Sequence, residues 1–282
     1  MDWSRIKTIL IIALALANLA LGYEVYRQRM ALAGPAASKQ FSQELLDLLA
    51  SEDIKISPSI QLQAEKLNSL RVQYENLSQE QLNRDFFHNE ALLRQKTFSL
   101  ADLSLKGESL QVYDGRKLSY RNDLPLAKKK ISKEEAKTKA LDFLKEKKFK
   151  TDDLVLVSSL PWQEGYQLTF KKVYEGRLVE SSYSIFQVDG SGVHSLSRLW
   201  LDIIEPSDKE VVMPSPQKAL LSLLDKQEAR GRTVVRLEAC YYFNPPKQGY
   251  IEDISRAQQG RAIPAWRIQL DNGQEVIVDV LS

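Results

Sequence analysis

Residues 132–202 restrict the architecture of this chain more than any other stretch. Ser132 and Glu135 have the spacing of a capping box. In that motif the hydroxyl and the carboxylate each accept a backbone N–H that the start of a helix leaves unpaired. Ala136, Ala140, Leu141 and Leu144 then recur on one helical face, opposite Lys and Glu. Four strand-like runs follow: Leu154–Ser159, Tyr166–Tyr174, Leu178–Val188 and Val193–Asp202. Glu175-Gly176 and Asp189-Gly190-Ser191-Gly192 join the last three. Connections this short require antiparallel neighbours, because parallel strands need a crossover of about a dozen residues or more. A helix followed by a meander is an α+β unit, with the helix covering one sheet face.

A partial echo follows. Ser215-Pro216 supplies an N-cap and a proline at the first helical position. "QKALLSLLDKQEARG" reads as the helix, closed by Gly231, before strands Thr233–Phe243, Ala262–Leu270 and Glu275–Leu281. Residues 244–260 read as a long irregular loop. The reading is two helix-plus-sheet modules, 126–205 and 206–282, with duplication suggested by element order. Residues 41–125 form the N-terminal part of the same ectodomain. There "SQELLDLLASEDI" suits a helix capped by Ser42, "LRVQYENLS" a strand, and "SQEQLNRDFFHNEALL" a helix capped by Ser78. Residues 108–121 suit a hairpin turning at Asp114-Gly115. The Lys128–Lys130 run reads as a solvated loop.

Residues 1–7 form a short tail, 8–26 an apolar helix and 27–40 a linker. Thr8–Tyr23 carries no charge. A removable export signal and a retained anchor compete, and Ala20-Leu21-Gly22 is a passable cleavage site. Trp3, Tyr23 and Tyr26 favour the anchor, because aromatic side chains settle at both membrane interfaces. Arg5 and Lys7 precede the span, which places the N-terminus in the cytoplasm and the remainder outside, in a single-pass protein of the cell membrane. Leu14, Asn18 and Gly22 share one face at i, i+4, i+8, where Asn18 either contacts another membrane helix or bonds its own backbone.

The residues point away from an enzyme. No nucleophile elbow, phosphate-binding Gly loop or HExxH occurs. One cysteine, Cys240, and two histidines, His88 and His194, do not make a Cys/His zinc site. Cys240 reads as buried and inert, His88 as a surface or capping residue, and His194 as a strand-face residue. The carboxylate pairs Asp152-Asp153 and Glu252-Asp253 sit in solvated contexts, although a pair of carboxylates is what glycoside hydrolysis needs. No catalytic, cofactor-binding or metal residue is assigned. The net charge of +2, spread along the chain, gives no sign of a nucleic-acid surface. Trp162 and Tyr250, on loops, are candidate ectodomain contacts; Trp200 and Trp266 read as core.

The opening "MDWSRIKTILII" and the C-terminal "AIPAWRIQLDNG" resemble the corresponding stretches of the YycI family. The layout of one N-terminal span and one α+β ectodomain is similar as well, so the resemblance covers the whole chain. Residues 131–202 also look like a PepSY-type helix and meander. The family resemblance implies a membrane-anchored accessory protein without catalytic residues. Its partners would be a YycH-type protein and the cell-wall-responsive sensor histidine kinase YycG, also called WalK. The alternative is a PepSY-like module that restrains a cell-wall protease or hydrolase.

Overall fold

The computed structural model describes residues 14, 18, 21, 35–63, 65–96, 100–246 and 258–279. Fourteen strands join in one hydrogen-bonded network, dominated by antiparallel pairs. The chain is therefore α+β, with few helices against a large sheet.

Helix α1 (Pro35–Ser51) begins seven residues before Ser42, inside the stretch read as linker. A proline at the first helical position loses no hydrogen bond, since that N–H has no partner in any helix. Ser42 is thus no N-cap; its hydroxyl accepts from the Gln217 amide at 3.3 Å. Strands β1 (Lys55–Ile56) and β2 (Lys66–Tyr74) follow, then helix α2 (Gln79–Phe87). Ser78 caps α2 by accepting the Gln81 N–H. His88 ends it in the left-handed region at φ 52°, so the helix stops well short of Leu93. His88 is a C-cap, in line with its capping reading.

Strands β3 (Leu92–Lys96), β4 (Leu100–Leu105), β5 (Glu108–Tyr113) and β6 (Lys117–Asn122) form a meander. Asp114 and Gly115 both take positive φ, at 51° and 65°, in the three-residue turn between the paired Tyr113 and Lys117. Helix α3 (Lys133–Glu146) carries both halves of the Ser132–Glu135 box. Strands β7 (Leu154–Trp162), β8 (Gly165–Tyr174), β9 (Arg177–Asp189) and β10 (Gly192–Leu199) pair in sequence order, as the short turns required. Strand β10 also pairs with β6, so the two meanders form one sector. Helices α2 and α3 cover one face of it, and Ala136, Ala140 and Leu144 are buried there with Phe86, Leu110 and Phe186.

The second sector contains β11 (Leu201–Val212), β12 (Thr233–Tyr242), β13 (Gln259–Leu270) and β14 (Glu275–Asp279). Strand β2 inserts between β11 and β13, so residues 41–125 contribute to both sectors. Helix α4 (Pro216–Leu221) has the Ser215 cap and Pro216 at its start but is only 6 residues long. Two 3-10 turns replace the rest of the helix expected up to Gly231. Ser222 turns its hydroxyl back to the Ala219 carbonyl at 2.7 Å, a local bond that competes with regular helix. Leu45, Leu49, Leu220, Leu223, Trp266 and Ile268 build the core of this sector.

Where the sectors meet, β9 bulges. Lys171 pairs with Tyr183 and Lys172 with Val179, which leaves Glu180, Ser181 and Ser182 out of the β8–β9 ladder. Side chains replace the lost backbone bonds. Ser181 both donates to the Phe243 carbonyl and accepts its N–H, and Ser182 accepts from the Leu201 N–H. Trp200 forms the β10–β11 corner, 1% exposed, beneath the Arg198 guanidinium at 4.3 Å. Arg198, itself fully buried, grips both oxygens of Glu75 at 2.8 Å. The core readings of Trp200 and Trp266 hold, and Cys240 is fully buried with burial pushing its thiol pKa well up.

Candidate functional site: an open polar sheet face

Among the described residues no helix covers the face of the first sector opposite α2 and α3. Period-two alternation, with apolar side chains inward, leaves cross-strand rows of polar ones outward. Register sets the rows. Ser109, Arg121, Ser195, Gln187 and Gln167 lie side by side across β5, β6, β10, β9 and β8. Gln111, Ser119, Ser197, Ile185 and Thr169 form the next row. Short side chains on the central strands leave an open recess of about 480 Å³. Ser195 donates to Gln187 at 3.0 Å and Gln111 to Asp102 at 3.3 Å, so the floor is partly tied in place.

One aromatic pair stands at the edge of the recess. At one end the Trp162 ring lies 5.1 Å from that of His194, which lines the recess and is 9% exposed. At the other, Tyr183 pairs with Leu199, next to Lys117. His194 Nε2 lies 2.9 Å from Asp189 Oδ1, which ties the ring to that carboxylate.

Asp189 organises that end. Its Oδ2 accepts the Ala127 N–H at 2.8 Å and its Oδ1 the Ser191 N–H at 2.7 Å, which fastens the segment before α3 to the β9–β10 turn. Burial pushes its pKa up, but these N–H groups and His194 outweigh burial and hold it below its ordinary 3.8. A depressed carboxylate stabilises the fold above the ordinary pKa, and that contribution is lost as pH falls through the folded value. Replacing Asp189 with Asn is expected to lower the melting temperature at pH 7. The gap to wild type should close as the pH is taken below about 3.8, in thermal melts across that window.

A second cluster lies buried at the joint between the sectors. Arg267 Nε lies 3.0 Å from Glu180 Oε1 and its Nη1 donates to Glu238 at 2.6 Å, while Nη2 bonds Glu275. Lys171 bridges Glu180 and Glu275. Five strands, β8, β9, β12, β13 and β14, each contribute one charge. Burial raises the Glu180 pKa despite both cations. Burial also works against charge on Arg267, but its bond to Glu275 and the surrounding carboxylates hold its pKa above the ordinary value.

The YycI protein family model matches residues 35–280. The chain belongs to the YycI family. No curated protein matches it in sequence. Among solved structures, it is similar to a protein from Eubacterium rectale ATCC 33656 at 11% identity, over 76% of this chain and 82% of that one, with a TM-score of 0.47. It is also similar to the Bacillus megaterium YpeB C-terminal domain at 14% identity, over 73% of this chain and 93% of that one, with a TM-score of 0.38.

The residues singled out in this YycI chain fall in separate places. Trp162 ends β7 at the rim of the recess, half-buried on His194, rather than on a free loop. Tyr250 and Gly22 lie outside the described residues, as do Glu252 and Asp253. Leu14 and Asn18 are helical and exposed, and the Asn18 amide donates to the Leu14 carbonyl at 3.0 Å. Among the described residues no helix is long and apolar enough to cross a membrane, and most of segment 8–26 lies outside them. Asp153 pairs with Lys172 at the sector joint. Among the described residues no group of three or more His, Cys, Asp or Glu side chains is placed to hold a metal ion. Sequence reasoning missed the recess and the Arg267 cluster, because both depend on pairing between distant strands.

Proposed function

We propose that this YycI-family chain is a non-enzymatic, single-pass membrane regulator of the sensor histidine kinase YycG/WalK, acting beside a YycH-type partner. Its N-terminus lies in the cytoplasm and its sheet domain outside. The family match over residues 35–280 carries this reading. The uncharged segment with aromatic ends supports the anchor. An anchor confines regulator and kinase to one membrane, so a weak helix contact suffices through effective concentration. A kinase with two conformations then shifts toward the one that the regulator binds better, by the difference in contact energy.

Co-purification of the kinase from membranes tests this. Replacing segment 8–26 with an unrelated apolar span should remove most of the recovered kinase. Asn18→Leu should have a small effect, about 0.6 kcal/mol or roughly threefold, the average worth of a polar contact between membrane helices. Unchanged recovery with both variants would exclude pairing through the span.

A further inference from the structure

We infer that the open face of the first sheet sector is a binding site for a neutral oligosaccharide. The inference goes beyond the regulatory reading and does not rest on it. The floor is made of hydroxyls and carboxamides: Ser119, Ser195, Ser197, Gln167 and Gln187 surround its centre. Such groups donate and accept together, as sugar hydroxyls do. The recess of about 480 Å³ has the size of a small-ligand site, yet it is lined by polar rather than apolar groups, which suits a polyhydroxylated occupant.

The other classes of ligand fit less well. A protein partner is held by buried aromatic or arginine anchors, with serine under-represented among them, whereas Ser119, Ser195 and Ser197 line this floor around Ile185. A polyanion needs several clustered cations. Here Arg121 shares the recess with Asp123, and Asp102 lies two strands away on β4. A pyranose ring has an apolar face that lies flat on an aromatic ring, and the Trp162 ring, against His194, stands at one end of the floor. His194 lines the recess at the Trp162 end, with its Nε2 held 2.9 Å from Asp189 Oδ1.

The test is calorimetric titration of the full chain in phospholipid nanodiscs with chitohexaose and maltohexaose, and with hexaglycine and polyphosphate as probes of the rival classes. At least one sugar should bind with a Kd between about 10 µM and 1 mM. Ser197→Tyr, which fills the floor, should weaken binding at least ~10-fold, and Gln187→Ala by roughly 3-fold to 10-fold. Both positions lie on the outer face, and unchanged melting temperatures confirm intact folding; if Ser197→Tyr unfolds, Gln187→Ala carries the test. The inference is overturned by no sugar binding at millimolar concentration, by sugar binding that ignores the variants, or by tighter binding of polyphosphate or hexaglycine. None of these outcomes bears on kinase co-purification, so the two readings fail separately.

Discussion

Replacing Arg267 with Leu should destabilise the protein by about 3–5 kcal/mol, the usual cost of removing one member of a buried ion pair. Arg267 is 3% exposed and faces Glu180, Glu238 and Glu275. Without it, Lys171 alone would answer three carboxylates. For a chain of this size each kcal/mol moves the melting temperature by roughly 2–4 °C, so the loss reads as a drop of about 6–20 °C. Glu180→Gln, at the centre of the same cluster, should cost no more than about 1 kcal/mol. It leaves two cations with two carboxylates, and burial already raises the pKa of the group removed. A raised carboxyl pKa favours the folded state at low pH and ceases to do so as pH rises through the folded value. The Gln variant should therefore lose stability relative to wild type on acidification, not at neutral pH. Thermal melts of both variants at pH 7 and pH 4 read the asymmetry; equal losses at neutral pH would mean that the cluster is not organised around Arg267.

Gly165→Ala should be nearly as damaging, at about 3 kcal/mol, for a steric reason. A Cβ there would lie 1.9 Å from the Val188 carbonyl oxygen and 2.7 Å from Asp189 Cα. Both are backbone atoms of the neighbouring strand, so no rotamer change relieves the clash and the end of β9 must move. Asp189 moves with it, and so do the Trp162 and His194 rings at the recess. Gly176 is the control. A Cβ there meets nothing within 4 Å, but its φ of 78° strains any side chain, so Gly176→Ala should cost about 1 kcal/mol. Denaturant melts give the order, and near-UV circular dichroism should report the Trp162 displacement for Gly165→Ala alone.

Local signals were legible in the sequence and long-range ones were not. The Ser132–Glu135 box, the Asp114-Gly115 hairpin and the four-strand meander depend on residues a few positions apart, and all three occur, although the last strand of the meander ends at Leu199 rather than Asp202 because the chain turns at Trp200 into β11. Helix α1 was misjudged at its start because Gly34-Pro35 looks like a linker, whereas a proline is at no disadvantage where a helix begins. The helix after Pro216 was overestimated because its apolar period continues through Leu223 and Leu224 while the backbone tightens into 3-10 turns. The bulge at Glu180–Ser182 left no local trace, since Ser181 and Ser182 are satisfied by Phe243 and Leu201. The same holds for the candidate site. Ser119, Ser197 and Thr169 become one row only when β6, β10, β9 and β8 are in register, and no spacing within one strand announces it. Trp162 was identified by its chemistry, although its place at the rim follows from the β7–β8 hairpin.

These features divide the labour in the molecule. The Arg267 cluster and the Ser181–Phe243 bonds hold the two sectors together, and the first sector presents an uncovered polar face. The family match makes the chain a member of the YycI family, and in the proposed reading the anchor sets it beside the kinase. The central claim is that the full chain alters the activity of that kinase. The most direct measurement is autophosphorylation of purified YycG/WalK in proteoliposomes, with and without the full chain co-inserted. The account predicts that the rate changes with the full chain and does not change when segment 8–26 is replaced by an unrelated span. An unchanged rate with the full chain inserted beside both the kinase and its YycH-type partner would contradict it.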